Sequence, residues 1–82
     1  MANHFPGCEI RKFEKKKNDP DRIVFLPNGI TILVELKRPK EEPREGQYRA
    51  IQRFLDLGFF CSWANTKEGI DLMIEQIKQE YF

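Results

Sequence analysis

The sequence predicts an α/β fold, a small mixed β-sheet flanked by helices in the order β-β-β-α-β-α. Two β-branched apolar runs surround the turn sequence Pro-Asn-Gly, which is a hairpin pattern. A segment with helical periodicity then separates this hairpin from another short apolar run, as in a parallel βαβ unit. A chain of 82 residues has room for one such unit, so we expect a single domain over residues 1–82.

The first predicted strand is CEIRKF, residues 8–13, in which Cys8 and Ile10 alternate with charged residues. The segment before it, residues 1–7, is predicted to be irregular because it contains a Pro-Gly pair. The segment after it, residues 14–20, is a polar loop that ends in the turn residues Asn-Asp-Pro.

The hairpin that follows consists of DRIVFL, residues 21–26, and ITILVELK, residues 30–37. In the loop between them, Pro27 suits the first central position of a type I turn and Asn28 the second. Gly29 then suits the left-handed residue that completes a three-residue loop with a bulge.

The loop length determines which side chains face each other across the hairpin. The three-residue loop pairs Leu26 with Ile30, and counting outward places Asp21 opposite Glu35. A two-residue Asn-Gly loop would shift the register by one and place Asp21 opposite Leu36. We favour the first register because of the proline, and in it Asp21, Glu35 and Lys37 converge at one end of the sheet.

The second half of the chain predicts a helix, a strand and a helix. The segment QYRAIQRFLDL, residues 47–57, has apolar residues at helical spacing and is followed by Gly58 as a stop signal. The segment FFCSWA, residues 59–64, reads as a short buried strand parallel to the third strand. Asn65 with Glu68 resembles a capping box that opens the last helix.

Charge and cysteine content narrow the class of protein. The net charge is only +1, but residues 1–53 hold 12 of the 14 Lys and Arg, which weakly favours a polyanion as partner. Cys8 and Cys61 are too few for a disulfide framework, so we expect buried thiols, with one disulfide as the alternative. No apolar run approaches the length of a membrane span, and we expect a cytoplasmic protein without membrane contact.

Two facing carboxylates and a lysine suggest chemistry on phosphate esters. Asp21 and Glu35 would repel each other unless a proton, a cationic side chain or a metal ion lay between them. Oxygen ligands favour Mg²⁺ or Mn²⁺, with the backbone carbonyl of Leu36 as a further ligand. Lys37 could then stabilise charge during hydrolysis of a phosphodiester. The Glu-x-Lys spacing alone favours a salt bridge between Glu35 and Lys37 without catalytic meaning.

The segment DPDRIVFLPNGITILVELKRPKEEPREGQ, residues 19–47, resembles the VRR-NUC family of the PD-(D/E)XK nuclease superfamily. The family pattern runs from Gly-x-Pro-Asp through a hydrophobic hairpin and Glu-x-Lys to a Gln that opens a helix. The resemblance implies a restriction-endonuclease-like core in which Asp21 and Glu35 bind metal. It also implies that Lys37 acts in catalysis and that Gln47 supports the site.

Members of this family that stand alone are phage and bacterial nucleases that act as homodimers on branched DNA such as Holliday junctions. The resemblance therefore implies a Mg²⁺- or Mn²⁺-dependent endonuclease that binds DNA as a homodimer. Two features depart from the pattern, the glycine position and the initial helix. Asn18 replaces the glycine, and the adjacent Asp19 is expected to face solvent rather than the metal. The initial helix of the family, which carries a further acidic residue, has no match before the first strand.

Basic residues near the pattern could contact the DNA backbone, although a solvated surface explains them as well. This candidate surface is Lys15, Lys16, Lys17, Arg38 and Lys40. We expect Tyr48 in the core, with a role in the site beside Gln47 as the alternative. We expect Trp63 in the core or a dimer surface, with base stacking as the alternative. Two alternatives to the endonuclease stay open: a nuclease-fold module that binds nucleic acid or protein with incomplete or absent activity, and an unrelated α/β interaction domain.

Overall fold

The structure is a computed structural model, and it describes residues 4–13 and 16–82. The elements follow the predicted order and form one α/β unit. They are β1 (Glu9–Lys12), β2 (Arg22–Leu26), β3 (Ile30–Leu36), α1 (Glu45–Asp56), β4 (Phe60–Ala64) and α2 (Lys67–Tyr81). The predicted fold class, a small mixed sheet with flanking helices, is confirmed.

The four strands form one sheet in the order β1-β2-β3-β4. The β1–β2 and β2–β3 pairs are antiparallel, whereas β3 and β4 are parallel. Helix α1 makes the connection between β3 and β4, as the βαβ pattern predicts. The sheet is therefore mixed at β3, which is antiparallel to β2 and parallel to β4.

The hairpin has the register that the three-residue loop predicts. Leu26 pairs with Ile30, and Arg22 pairs with Val34 at the far end. The alternative register is wrong. The predicted loop conformation is also wrong at Asn28, which is left-handed with φ of 69° instead of right-handed. An asparagine tolerates this conformation, so the loop keeps its length and the register survives.

The predicted start of α2 is wrong by one residue. The N-cap is Thr66, whose hydroxyl accepts a hydrogen bond from the Gly69 N–H at 3.0 Å. Asn65, the predicted cap, instead donates its side-chain amide to the Glu41 carbonyl at 2.7 Å. Both side chains can cap a helix, and the contact of Asn65 with the preceding loop decides between them.

The two helices cover opposite faces of the sheet, because alternate residues of a strand point to opposite sides. On the α2 face, Val34 and Ile32 of β3 pack with Met73 and Ile77 in the larger cluster. On the α1 face, Leu33 packs with Ile51 and Cys61 in a smaller cluster. Glu35 follows the parity of Leu33, so it lies on the α1 face.

The cysteines lie in different layers and are both free thiols. Cys8 contacts the cluster under α2, whereas Cys61 belongs to the cluster under α1. The alternative of a disulfide is therefore wrong. Within the described ranges, 4–13 and 16–82, no helix is both long and apolar enough to cross a membrane.

Candidate active site

Glu35 is the buried acidic residue around which the candidate site is built. It lies near the end of β3, and only 3% of its surface is exposed. Its Oε2 atom accepts a hydrogen bond from Gln47 Nε2 at 3.0 Å and lies 3.3 Å from Lys37 Nζ. The structure therefore brings together Glu35 and Lys37 of the Glu-x-Lys motif and Gln47 of α1, which come from two separate places in the sequence.

Gln47 has an orientation fixed by its own contacts. Its Oε1 atom accepts a hydrogen bond from the Arg44 backbone N–H at 2.8 Å, where α1 begins. This contact uses the acceptor end of the amide, so the donor end points at Glu35. The start of α1 thus sets the position of a side chain that in turn holds the Glu35 carboxylate.

The other oxygen of the same carboxylate has no hydrogen-bond donor. Glu35 Oε1 is buried, and it has no partner among the residues that the structure describes. A buried carboxylate oxygen is costly unless a donor or a cation offsets its lost hydration. Lys37 and Gln47 both contact Oε2, so Oε1 remains available as a buried ligand atom. This is the donor chemistry that a hard divalent cation requires.

Asp21 lies immediately before β2 and reaches the same end of β3. Its Oδ1 atom accepts a hydrogen bond from the Leu36 N–H at 3.1 Å, and its Oδ2 atom lies 3.5 Å from Arg22 Nη1. Extending the register one step past Arg22 and Val34 places Asp21 opposite Glu35. Asp21 therefore lies beside the other predicted ligands, Glu35 and Leu36, although the described contacts of its side chain are with its neighbour and with the β3 backbone.

Among the described residues, the site contains two acidic groups, Asp21 and Glu35. Over residues 4–13 and 16–82, no three His, Cys, Asp or Glu side chains come together. Glu9 in β1 instead pairs with Arg11 at the exposed strand. Any metal ion held by Asp21 and Glu35 would thus need water or substrate oxygens as further ligands.

The prediction that Asp19 faces solvent is wrong. Its surface is only 8% exposed, and its Oδ1 atom accepts a hydrogen bond from Arg53 Nη2 at 2.8 Å. The two residues are separated by 34 positions, so no local sequence pattern could pair them. Asn18 is left-handed with φ of 76°, as required of the residue that replaces glycine.

The candidate DNA-binding residues lie in two loops beside the site. Lys16 and Lys17 are exposed in the loop before β2, and Arg38 and Lys40 are exposed between β3 and α1. Lys15 lies outside the described residues. Arg38 contacts Glu41 only at 3.8 Å, so its guanidinium is largely available.

Two aromatic side chains border the site on the α1 face. Trp63 of β4 pairs with Glu35 in the parallel register and is half-buried. Tyr48 forms an edge-to-face contact with Trp63, with ring centroids 6.1 Å apart. The prediction of Tyr48 as a core residue is wrong, because 42% of its surface is exposed.

Cys61 lies in the cluster under α1, and the negative charge of Glu35 affects the pKa of its thiol. Burial, and secondarily the Glu35 carboxylate, raise the pKa of the Cys61 thiol from 9.0 to about 12. The thiol therefore stays protonated at neutral pH and acts as a small core residue rather than as a nucleophile.

Comparison with known proteins identifies the fold. No family model matches the sequence. A solved structure described as a "VRR_NUC domain" aligns with a TM-score of 0.70 and 25% identity, over 93% of this chain and 81% of that chain. The chain has the VRR-NUC fold. A phage protein named "Putative nuclease p44", from Acyrthosiphon pisum secondary endosymbiont phage 1, is 46% identical over 43 residues.

The VRR-NUC resemblance inferred from the sequence is thereby confirmed. The match to the phage protein spans 52% of this chain and about half of that relative, 46% of its length. The solved VRR-NUC domain aligns over nearly the whole of this chain and thus includes both β3 and the start of α1. The chain is accordingly related to nuclease domains, and Glu35, Lys37 and Gln47 lie together in that framework.

Proposed function

We propose that this VRR-NUC chain is a metal-dependent endonuclease that hydrolyses DNA phosphodiester bonds. The observation that carries the proposal is the Oε1 atom of Glu35, which is buried and has no hydrogen-bond partner among the described residues, while Lys37 and Gln47 both contact the other oxygen, Oε2. A carboxylate serving only a salt bridge would have no need of a second buried oxygen without a donor.

The residues present fit Mg²⁺ or Mn²⁺ better than a softer metal. The ligands would be the carboxylates of Asp21 and Glu35 and the backbone carbonyl of Leu36, all of them oxygens. Such an ion would supply an activated water and charge compensation at a phosphoryl oxygen. Mg²⁺ commonly keeps several waters and substrate oxygens in its shell, so two protein carboxylates suffice.

Lys37 is the proposed catalytic residue. Its side chain is 14% exposed, so the ammonium group is shielded from bulk water but reaches the edge of the site. From there it can donate hydrogen bonds to the attacking water or to the negative charge that develops on the phosphate. Its ion pair with Glu35 keeps it in this position before DNA arrives.

The DNA backbone would contact the basic loops on either side of the site. The proposed contacts are Lys15, Lys16, Lys17, Arg38 and Lys40, several of which are described as exposed. Such phosphate contacts orient a duplex without reading its sequence. Affinity for DNA should therefore fall steeply with salt concentration.

The substrate and assembly follow from the family resemblance. We propose that one domain spans residues 1–82 and that two copies form a homodimer on branched DNA, such as a Holliday junction, in the cytoplasm. Two-fold symmetry would supply two sites for paired cuts. A second candidate is a nuclease-fold module that binds nucleic acid or a protein without cleaving, and the two-carboxylate limit of the described chain favours it.

The test is cleavage of supercoiled plasmid and of a labelled four-way junction with Mg²⁺, with Mn²⁺ and with chelator. We expect cleavage that requires the metal and is lost in Lys37→Ala, with Arg49→Ala as control because Arg49 pairs with Glu45 on the exposed face of α1. Junction binding without metal-dependent cleavage would instead support the second candidate. Absence of both would refute each of them.

A further inference from the structure

We infer that Arg53, through its ion pair with Asp19, is a positioning residue that holds the metal ligand Asp21 against β3. This inference rests on the proposed function for its consequence in catalysis, but its structural part does not. The segment concerned is residues 16–21, called the aspartate loop below.

Asp21 needs such support because it lies outside the sheet ladder. The last residue pair of the hairpin is Arg22 with Val34, so no strand pairing fixes the residue before Arg22. The backbone carbonyl of Asp21 accepts hydrogen bonds from the Phe13 N–H at 3.0 Å and from the guanidinium of the neighbouring Arg22 at 3.0 Å. The Asp21 side chain meets the end of β3 through the Leu36 N–H at 3.1 Å. A shift of the aspartate loop would break this last contact first, since it depends on the side-chain position.

The ion pair anchors this loop two residues before Asp21. Asp19 Oδ1 lies 2.8 Å from Arg53 Nη2, and the Asp19 side chain is largely buried whereas that of Arg53 is mostly exposed. A buried carboxylate that loses its cationic partner moves toward water. Pro20, which joins Asp19 to Asp21, is fully buried and restricts the backbone, so a movement of Asp19 would be passed on to Asp21.

A second contact from the same helix reaches the same loop. A Cβ atom at Gly46 would lie 2.6 Å from Asn18 Nδ2 and 2.9 Å from its Cγ, so Asn18 occupies the space above this glycine. Gly46 and Arg53 are seven residues apart, which puts them on one face of α1. Gln47 on α1 also holds Glu35. One helix thus sets the positions of both proposed metal ligands.

The first test measures amide hydrogen exchange without metal in the intact chain. In Arg53→Gln, we expect the Leu36 amide to exchange at least about tenfold faster relative to Val34, because Asp21 leaves the Leu36 N–H. Arg49→Gln is the matched control, since Arg49 lies one turn earlier and its ion pair with Glu45 is exposed. The inference fails if Leu36 exchange is unchanged, or if Leu36 and Val34 accelerate equally.

The second test measures Mn²⁺ affinity by calorimetry and the Mn²⁺ dependence of cleavage. Arg53→Gln should weaken Mn²⁺ binding by about tenfold, as is usual for residues that orient metal ligands, with kcat at saturating metal retained. Arg53→Lys should restore most of the affinity. A loss confined to kcat would overturn the positioning role. If the wild-type chain neither binds Mn²⁺ nor cleaves DNA, the proposed function fails while the exchange result still decides the structural inference.

A third test approaches the aspartate loop from Gly46. Gly46→Ala should displace Asn18 and accelerate Leu36 exchange in the same way as Arg53→Gln. Adding Asn18→Gly removes the clashing side chain and keeps a residue suited to φ of 76°, so the double variant should recover protection at Leu36. A double variant as perturbed as Gly46→Ala would contradict the proposed contact.

Discussion

Replacing Lys37 with methionine should destabilise the protein, and divalent metal should then restore much of the loss. The variant keeps the length of the side chain but removes the ammonium group that lies 3.3 Å from Glu35 Oε2. A charge pair at this distance interacts by about 5 kcal/mol at an effective dielectric constant of 20. Gln47 still donates to the same oxygen, and breaking buried pairs typically costs 3–5 kcal/mol, so we expect a loss of about 3 kcal/mol.

The assay is thermal and urea unfolding with and without Mn²⁺. A loss of about 3 kcal/mol lowers the melting temperature of a domain of this size by roughly 12–24 °C. Metal bound at the free oxygen of Glu35 would stabilise the folded state by about 2.7 kcal/mol at a concentration 100 times its dissociation constant. Lys37→Met should gain more from Mn²⁺ than the wild type does, because the ion replaces the missing positive charge.

The double variant Glu35→Gln with Lys37→Met is the control. It removes both charges, so it should be more stable than Lys37→Met alone and should gain nothing from Mn²⁺. The reasoning is refuted if Lys37→Met unfolds like the wild type. It is equally refuted if Mn²⁺ stabilises Lys37→Met no more than it stabilises the double variant.

Two further predictions concern the framework of the site. The raised pKa of Cys61 favours its protonated form in the folded state, so its contribution to stability is complete below the unfolded pKa of 9.0 and is lost as pH rises toward 12. Between pH 8 and 10, the free energy of unfolding, measured with urea, should fall by about 1.4 kcal/mol more in the wild type than in Cys61→Ala. An equal fall with pH in the two proteins would contradict this. Thr66→Ala should cost about 1 kcal/mol because it removes the N-cap of α2, and it should lower the thermal midpoint by more than Asn65→Ala does. A larger fall in Asn65→Ala would contradict the capping assignment.

The sheet and the position of Glu35 in it could be predicted from the sequence because both depend on local rules. The Pro-Asn-Gly loop determined which residues pair across the hairpin, and the period-two alternation of β3 then put Glu35 on the α1 face. The meeting of Glu35 with Gln47 came from the family resemblance, since a separation of 12 residues across a loop follows no periodic pattern.

The errors arose where tertiary contacts override local preference. The sequence around Asp19 is typical of a polar loop. The burial of Asp19 depends on its ion pair with Arg53, which lies two turns after Gly46 in α1. Tyr48 has the helical spacing of a core residue, but it lies at the edge of the apolar stripe, against Trp63, and stays partly exposed. Asn65 lies in a sequence pattern that is typical of an N-cap, but its side-chain amide donates a hydrogen bond to the Glu41 carbonyl instead.

The most direct test of the metal site is anomalous diffraction from crystals of the wild type and of Glu35→Gln soaked in MnCl₂. The proposed function predicts one Mn²⁺ peak in the wild type, within coordination distance of Glu35 Oε1 and of the Asp21 carboxylate, and its loss in Glu35→Gln. A wild-type crystal at saturating Mn²⁺ with no peak at Glu35, or with a peak that persists unchanged in Glu35→Gln, would contradict it.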